Sequence, residues 1–548
     1  MNKIYGNTTG LKTNIYRRLE NLYKRKISQQ EVISGDLSHD IAHLSFETSR
    51  QIGLFIDRKG CVEMVIVGGP NSIYIPELPK SREGRSRLRG VRFIHTNLKN
   101  EPISQDDLMD LIFLRLDLIG IIGIDTHGGA VNLRIAHILP SDKDKSQGFE
   151  ILPPVSFKNL EINFLDLVQA LENELERNRL AVSEKKGKDR AILISLTTAK
   201  KETAVASINE LKELATTSGI TVVDKIIQKQ REINAKYLIG KGKLSEIILR
   251  ALQHGVDLLI FDQELNPSQI RSITDTTELR VIDRTQLILD IFAQRAHSRE
   301  GKIQVEMAQL KYLLPRINVK DDALSRLTGG IGARGPGETK LEINRRRIKD
   351  RIANLEHELK NISKSRGQRR SLRTKKDLPV ISIVGYTNAG KSTLLNTLTH
   401  SHVFVENQLF ATLDPTSRRL RFPKDFEVII TDTVGFIQDL PKELLDAFAS
   451  TLEELCDADL LLHVADVSNP QVEKQIDSVN KILTQLDIQN KPTVIVFNKT
   501  DIAPKDRIEW CLNRYKGVAI SALSTKTIEP LIDNLQELLL NSIITGIS

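Results

Sequence analysis

The sequence predicts an α/β protein whose C-terminal part is a doubly wound, mostly parallel sheet. Two observations carry this prediction. Apolar runs alternate with amphipathic helical stretches from residue 191 to about 262, and again from residue 377 to the end; this is the order of a parallel sheet covered by helices. Between these regions, apolar residues recur at spacings of three and four, which predicts two helices packed along one seam.

Length and composition fit a folded chain of several domains. At 100 to 200 residues per domain, 548 residues suggest roughly three to five domains. Apolar residues make up 40% and charged residues 27%, which argues against a disordered or collagen-like chain. We predict an N-terminal α+β extension, a small parallel α/β domain, a long antiparallel helical hairpin and the doubly wound domain, at residues 1–187, 188–297, 298–376 and 377–548.

Cysteine content and hydropathy bear on the compartment. The three cysteines, Cys61, Cys456 and Cys511, are far apart and odd in number, so neither a disulfide framework nor a zinc site with paired cysteines is expected. The best apolar run, residues 111–124, is short and contains Arg115 and Asp117. We therefore expect no signal peptide and no transmembrane segment, and a cytoplasmic protein; peripheral association with membranes stays open.

The elements follow in order. A polar helical stretch opens the chain, and strand-like runs follow at residues 51–56 and 63–68. The strands of the small α/β domain are expected at ILISL, TVVDKII and DLLIFD. Two seams define the hairpin: Ile303, Met307, Leu310, Leu314 and Ile317, then Leu341, Ile348, Ile352, Leu355, Leu359 and Ile362. If it runs over residues 338–372, the second helix is about 50 Å long, and the segment GGIGARGPG at residues 329–337 precedes it as an irregular tip.

The charge of the chain is concentrated on this second helix. The whole sequence carries a formal net charge of +8. Residues 340–376 contain 14 Lys and Arg against four Asp and Glu, a net charge of +10, so the remainder is nearly balanced. A helix whose charged residues are mostly positive is suited to phosphate contacts and salt-sensitive RNA binding. The alternative is that the charged residues only form a solvated face of the helix, which is the more common case.

A phosphate-binding motif begins the doubly wound domain. Residues 385–392, GYTNAGKS, match G-x-x-x-x-G-K-[ST] between the strand PVISIV and a helical stretch. Backbone amides at a helix N-terminus can surround phosphates, Lys391 can reach the β- and γ-phosphates, and Ser392 can ligate Mg²⁺. Asp432 in DTVG ends the strand FEVIIT as the magnesium-side carboxylate, acting through water, and Gly435 can bring its amide to a γ-phosphate. Thr412 is the predicted switch threonine, with Thr416 as the alternative and a purely structural turn also open.

A second motif indicates which base is bound. Asn498-Lys-Thr-Asp501 follows the strand TVIVF, at the sheet edge where ligands bind. An ionised Asp501 can accept hydrogen bonds from guanine N1–H and its 2-amino group, whereas adenine has no such donor pair. Asn498 and Lys499 would brace the base, and residues 521–523 could give an amide to guanine O6.

The predicted catalytic residues are Lys391, Thr412 and Gly435. The predicted GTP contacts are Gly385, Tyr386, Thr387, Asn388, Ala389, Gly390, Lys391, Ser392, Phe410, Ala411, Thr412, Leu413, Asp414, Asp432, Thr433, Val434, Gly435, Asn498, Lys499, Thr500, Asp501, Ser521, Ala522 and Leu523.

With these motifs the chain resembles the HflX-type GTPases from about residue 190 to its end. Further strings carry the resemblance: YLIGKGK at 237–243, DQELNP at 262–267, DRT at 283–285 and GGIGARGPGET at 329–339. The resemblance implies a Mg²⁺-dependent GTPase that binds the large ribosomal subunit, reaches toward the peptidyl transferase centre with the hairpin tip, and can split ribosomes. Arg334, Arg345, Arg346 and Arg347 are the predicted rRNA contacts. We expect a monomer off the ribosome. A GTP-gated rRNA-binding factor in large-subunit assembly is the alternative.

Two departures qualify the resemblance, at Phe436 and at the end of the chain, and Asn388 adds an expectation of its own. Phe436 stands where many GTPases place a water-orienting glutamine, so we expect slow intrinsic hydrolysis. Asn388 occupies the position where potassium-activated relatives use an asparagine, which suggests K⁺ stimulation. Because the chain ends soon after a last helix at residues 528–540, we expect the extra C-terminal domain of some HflX proteins to be absent.

The N-terminal extension contains a pattern similar to the JAB/MPN metalloproteases. It comprises Glu63, His95, Asn97, Ser104 and Asp107. Such a site needs a glutamate, an H-x-H pair and S-x-x-D to hold zinc. Here Asn97 replaces the second histidine and the spacing is one residue short, so we predict an inactive JAB-like or unrelated scaffold. The alternative is a working zinc site, and with it an N-terminal metallohydrolase regulated by GTP.

Overall fold

A computed structural model describes most of the chain: residues 3–76, 78, 88–139, 148–157, 162–181, 189–198, 201–230, 238–319, 340–374, 378–399, 410, 416–422, 426–433, 435–437, 444–445 and 455–545. These residues form two compact units. One comprises Met1–Ala204, Ile220–Ile260 and Gln269–Val281, and the other Val205–Gly219, Phe261–Ser268 and Ile282–Ser548. The four domain boundaries given above remain predictions.

The N-terminal region is built on a mixed sheet. Its described strands are β1 (Ile4–Gly6), β2 (Ile52–Asp57), β3 (Val62–Val67), β4 (Val91–Asn97), β5 (Ile119–Ile124), β6 (Ala130–Ile138) and β7 (Phe149–Ile151), in the order β1-β3-β2-β4-β5-β6-β7. The helices of this region are α1 (Thr13–Leu22), α2 (Gly35–Thr48), α3 (Gln105–Phe113) and α4 (Phe164–Ala181). Every residue of β5 is buried, which explains why its sequence, IGIIGI, is apolar without alternation. The α+β class predicted for this region is confirmed.

The second sheet follows the predicted alternation of strands and helices. Its strands are β8 (Arg190–Thr197), β9 (Thr221–Lys229), β10 (Leu258–Phe261) and β11 (Arg280–Asp283), in the order β11-β10-β8-β9. The intervening and following helices are α5 (Lys201–Thr217), α6 (Lys241–His254), α7 (Pro267–Thr277) and α8 (Arg284–Arg295). Strands β8 and β9 pair in parallel. The side chain of Asp283 accepts a hydrogen bond from the Gln286 amide, so a carboxylate caps the first turn of α8.

The two helices expected in the hairpin are present. α9 spans Arg299–Leu313 and continues as a 3-10 turn over Leu314–Val319, and α10 spans Lys340–Thr374. Arg351 and Glu306 join them through two hydrogen bonds of 2.7 and 2.9 Å. On α10, Leu355 is buried whereas Arg345, Arg346 and Arg347 are exposed. Over its described side chains, α10 therefore packs through a narrow apolar face and presents these three arginines to solvent.

The C-terminal domain is the predicted doubly wound fold. Its described strands are β12 (Val380–Gly385), β13 (Thr416–Phe422), β14 (Phe426–Asp432), β15 (Leu460–Asp466), β16 (Thr493–Asn498) and β17 (Val518–Ala519), in the order β13-β14-β12-β15-β16-β17. Only β13 is antiparallel to its neighbour among these strands. The described helices are α11 (Lys391–Thr399), α12 (Val472–Gln485), α13 (Lys505–Tyr515) and α14 (Glu529–Thr545). No helix in the described part of the chain is long and apolar enough to cross a membrane.

Candidate functional site

The phosphate motif lies where the sequence predicts, between β12 and α11. Gly385 has φ +151°, and a Cβ there would lie 2.2 Å from the carbonyl oxygen of Val464. Gly390 has φ +91°. Only glycine adopts these conformations without strain. The exposed Asn388 between them is also left-handed, with φ 60°. The loop thus turns sharply from the central strand into the helix N-terminus, where backbone N–H groups favour phosphate.

Lys391, the first residue of α11, is buried beneath this loop. Its Nζ donates to the carbonyl oxygens of Gly385 at 3.1 Å and Tyr386 at 2.8 Å. Burial lowers the pKa of Lys391 to about 8, although the charge of Asp432 opposes the shift. The ammonium is therefore held at the loop by two carbonyls, in reach of a phosphate bound there.

Ser392 and Asp432 come together at the same sheet edge. The Ser392 hydroxyl donates to Asp432 Oδ2 at 2.6 Å, and Asp432, the last residue of β14, is 1% exposed. The next residue, Thr433, donates its hydroxyl to the Ile383 carbonyl at 2.6 Å. A hydroxyl and a carboxylate side by side are oxygen ligands of the kind Mg²⁺ takes together with substrate phosphates. The donor set fits that ion, which P-loop GTPases generally use.

Phe436, the residue after DTVG, is hydrogen-bonded to the phosphate loop. The Thr387 amide donates to the Phe436 carbonyl at 2.7 Å, and the Phe436 amide donates to the Gly385 carbonyl at 3.1 Å. A Cβ on Gly435 would lie 2.8 Å from Thr387 Cγ2 and 2.9 Å from Lys391 Nζ. A side chain at 435 would therefore displace Thr387 and Lys391, and glycine lets the backbone pass close to the lysine.

Asn498 has a more specific task than the general one of bracing the base. Its Nδ2 donates to the Ala389 carbonyl at 2.8 Å, and its Oδ1 accepts from the Ala522 amide at 2.8 Å. One side chain therefore ties the phosphate loop to the loop at residues 521–523. In that second loop Ser521 and Ala522 are buried, whereas Leu523 is 81% exposed.

The neighbouring residues of this motif are arranged for a ligand outside the sheet edge. Lys499 has φ 65°, and its Nζ lies 2.7 Å from Asp466 Oδ2 at the end of β15. The Thr500 amide donates to the Ile520 carbonyl at 3.2 Å. Asp501 is exposed, so its carboxylate is accessible to a base.

Several predicted residues cannot be placed. Ala411, Thr412, Leu413, Asp414, Val434 and Arg334 lie outside the described residues. Phe410 is described and is 2% exposed. Thr416, the alternative switch threonine, begins β13 and is paired in register with Asp432. The strand β13 itself was not predicted.

The structure does not assemble the metalloprotease pattern of the N-terminal extension. His95 Nε2 lies 3.1 Å from Asp107 Oδ1, and Ser104 and Asp107 form a capping box at the start of α3. Asn97 Oδ1 accepts from the amides of Lys99 and Glu101, as in a turn. Glu63, the remaining residue of the pattern, is exposed on β3.

The register of β2 shows how far Glu63 is from the histidine. His95 pairs with Gly53, whereas Val62 pairs with Ile56, three residues along β2, or about 10 Å. Burial and then the charge of Asp57 raise the pKa of Glu63. No group of three or more His, Cys, Asp or Glu side chains that could hold a metal occurs among the described residues.

Three residues near the nucleotide site were not predicted from the sequence. His463 on β15 is buried, and burial and then Lys391 lower its pKa to about 4. Glu210 accepts a hydrogen bond from the Tyr386 hydroxyl, and Phe292 packs on Phe410 with ring centroids 4.6 Å apart. A histidine within an apolar strand is the one local signal among these; the other two contacts join residues far apart in the sequence.

Comparisons with known proteins agree with this geometry. Three family models match: GTP-binding GTPase N-terminal at residues 205–293, GTP-binding GTPase Middle Region at 295–373, and 50S ribosome-binding GTPase at 380–499. One similar solved structure is the crystal structure of a GTP-binding protein from the archaeon Sulfolobus solfataricus in complex with GDP. The alignment has 27% sequence identity, covers 65% of this chain and 99% of the archaeal chain, and gives a TM-score of 0.36. That score is too low to support the fold, which rests on the strand order above.

Curated relatives are more similar in sequence. GTPase HflX of Caldanaerobacter subterraneus is 51% identical over 315 residues, which are 58% of this chain and 73% of the relative. GTPase HflX of Lacrimispora saccharolytica is 46% identical over 353 residues, 64% of this chain and 84% of the relative. GTPase HflX of Escherichia coli is 45% identical over 295 residues, 54% and 69% of the two chains. The phosphate loop and Asp432 lie within the residues 380–499 that match the GTPase family model, and these relatives show that the chain belongs to the HflX family of GTPases.

Proposed function

We propose that this GTPase binds the large ribosomal subunit through α10 and uses GTP hydrolysis to control how long it stays there, splitting or rescuing ribosomes in the cytoplasm. One observation carries the proposal: the consecutive residues Arg345, Arg346 and Arg347 are all exposed on a helix of 35 residues. Neutralising several phosphates with such a helix releases counterions and favours rRNA. The match of residues 380–499 to the 50S ribosome-binding GTPases supports this partner.

We assign the roles at the nucleotide site as follows. Lys391 and the amides of the phosphate loop stabilise charge on the β–γ bridge, and Asp501 selects guanine. Ser392, Thr412 and, through water, Asp432 would hold Mg²⁺, which when bound neutralises charge on the phosphates. The Gly435 amide approaches the γ-phosphate. Catalysis then rests on positioning and electrostatics, without a covalent intermediate.

The ribosome contact is tested by reversing charge on α10. With a non-hydrolysable GTP analogue, R345E/R346E/R347E is expected to lose cosedimentation with large subunits and to flatten the salt dependence of what remains. GDP affinity should be unchanged. The matched control K12E/R17E/K24E reverses three exposed basic residues of the N-terminal region and alters net charge equally. Equal losses in the two variants would show a general charge effect and contradict the proposed contact.

Sedimentation also separates splitting from the alternative role in assembly. Intact ribosomes incubated with the protein and GTP are resolved on sucrose gradients. Splitting predicts that the peak of whole ribosomes falls and both subunit peaks rise. Association confined to immature large-subunit particles, with whole ribosomes unchanged, would instead support a GTP-gated rRNA-binding factor.

We further propose that K⁺ stimulates hydrolysis through Asn388. Its left-handed φ of 60° and its exposure leave the side chain accessible beside the phosphate loop. Hydrolysis should be faster in KCl than in NaCl, with and without ribosomes, and N388A should lose this difference. Equal rates in the two salts would refute the proposal.

A further inference from the structure

Tyr386 joins the phosphate loop to an acidic side chain more than a hundred residues earlier in the sequence. The Tyr386 ring is 7% exposed, and its hydroxyl donates to Glu210 Oε1. The carbonyl of the same residue accepts the 2.8 Å hydrogen bond from Lys391 Nζ. Tyr386 therefore holds the Lys391 ammonium through its backbone carbonyl, and Glu210 holds Tyr386 through its hydroxyl.

Glu210 is in turn fixed by a buried arginine. Arg284 Nη2 donates to Glu210 Oε2, and Arg284 Nη1 donates to Asp262 Oδ1 at 2.9 Å. Arg284 is 7% exposed. Burial lowers the pKa of its guanidinium, but Glu210 and Asp262 outweigh burial and the net shift is upward. The carboxylate thus accepts from Tyr386 with one oxygen and from a permanently charged group with the other, which holds it in one orientation.

Helix α8, which begins with Arg284, also contacts the segment that precedes the predicted switch. Phe292 of α8 and Phe410 have ring centroids 4.6 Å apart at 47°. They are 1% and 2% exposed. Helix α8 therefore contacts Phe410 directly through Phe292, and it is connected to the phosphate loop through Arg284 and Glu210. All of these residues belong to the same compact unit.

We propose that Glu210 is a positioning residue of the GTPase: it holds Tyr386, and Arg284 holds it, so that the first turn of the phosphate loop keeps Lys391 where phosphoryl transfer needs it. Hydrolysis is sensitive to such placement, because small misplacements of catalytic groups cost large factors in rate. The inference rests on the roles proposed above for Lys391 and the phosphate loop.

The test compares single and double variants of the full chain. Y386F removes only the hydroxyl, and E210A removes the carboxylate together with the γ-methylene. Each is expected to lower kcat for GTP on the order of tenfold, the scale of a lost charge-assisted hydrogen bond, with a smaller change in KM. Because both break the same contact, Y386F/E210A should be no slower than the slower single variant. E210Q keeps an acceptor for the hydroxyl and should recover part of the rate.

Control variants distinguish a positioning role of Glu210 from a general loss of stability and from an incorrect assignment of the nucleotide site. E202A changes an exposed glutamate on α5 and Y74F an exposed tyrosine, and both should keep full activity. If E210A destabilises the chain by leaving Arg284 Nη2 without its Glu210 partner, the nearly isosteric Y386F still tests the contact with Tyr386. Unchanged kcat in Y386F, a faster rate, or additive losses in the double variant would overturn the proposal. K391A should be inactive in every case; an active K391A would refute the nucleotide-site assignment instead.

Discussion

A Cβ on residue 390 would lie 2.2 Å from the Asn498 side-chain nitrogen. The last glycine of the phosphate loop and the first residue of the guanine motif therefore pack against each other directly. At this short distance the Asn498 side chain donates a hydrogen bond to the Ala389 carbonyl. The phosphate loop and the base-binding motif are therefore connected by one hydrogen-bonded side chain.

N498A should weaken nucleotide binding through both halves. The change leaves the buried Ala389 carbonyl and Ala522 amide without their partner, at about 1–3 kcal/mol for a buried group left unsatisfied. Titration with a fluorescent GDP analogue should show a loss of affinity on the order of five- to a hundredfold. N490A, at an exposed asparagine, is the matched control and should bind normally. Normal binding by N498A would show that the asparagine is not needed to join the loops.

G435A should bind GDP but hydrolyse GTP poorly. The added methyl would meet Thr387 and Lys391 at under 3 Å, so the loop over the lysine must shift. We expect phosphate release to slow on the order of 10- to 100-fold, since misplacement acts on the reacting groups. G35A is the control, because a Cβ there meets nothing within 4 Å. Equal hydrolysis by G435A and the wild type would contradict the close approach at this glycine.

Nucleotide affinity should fall as the pH rises past about 8. The pKa of Lys391 is lowered by burial to about 8, and phosphate binding favours its protonated form. Above that pH, binding must first protonate the lysine, so the dissociation constant for GDP should rise by up to about tenfold per pH unit. Titrations between pH 7 and 9 test this. K391R, whose guanidinium stays charged over this range, should give a flat profile, and a flat wild-type profile would refute the shift.

His463 should make the GTPase domain less stable in mild acid. Burial lowers its pKa from 6.5 to about 4, so below pH 6.5 the unfolded chain binds a proton that the folded chain does not. Stability then falls as the pH falls, by about 2 kcal/mol at pH 5 from this group. Urea unfolding can be followed by Trp510, the single tryptophan of the sequence. H463N should lose less stability than the wild type between pH 8 and 5; equal losses would contradict a buried neutral histidine.

Local patterns in the sequence predicted most of the fold of the GTPase domain. Apart from β13, the described strands of the GTPase domain lie within a residue or two of the predicted apolar runs, because parallel strands buried on both faces must be apolar throughout. Ser392 and Asp432 were predicted to meet, since both lie at the carboxyl edge of neighbouring strands. The edge strand β13 was missed because its sequence, TSRRLRF, contains three arginines and lacks such a run.

Contacts between distant segments could not be predicted in the same way. The bond between Tyr386 and Glu210 depends on where α5 lies, which no periodicity specifies. The metalloprotease pattern shows the opposite case: its residues are present in the sequence, but the register of β2 separates Glu63 from His95. Spacing along the chain predicts a site only when the strand order brings its members to one edge.

The burial of Phe436 determines what a glutamine at this position could do. Its backbone pairs with Tyr386 as an isolated bridge, and its side chain is 2% exposed. The side chain after DTVG is thus part of the hydrophobic core, and a glutamine there would bury its amide instead of facing a water at the γ-phosphate. We expect F436Q to cost stability without accelerating hydrolysis, in which case the group that orients water comes from another residue or from a bound partner.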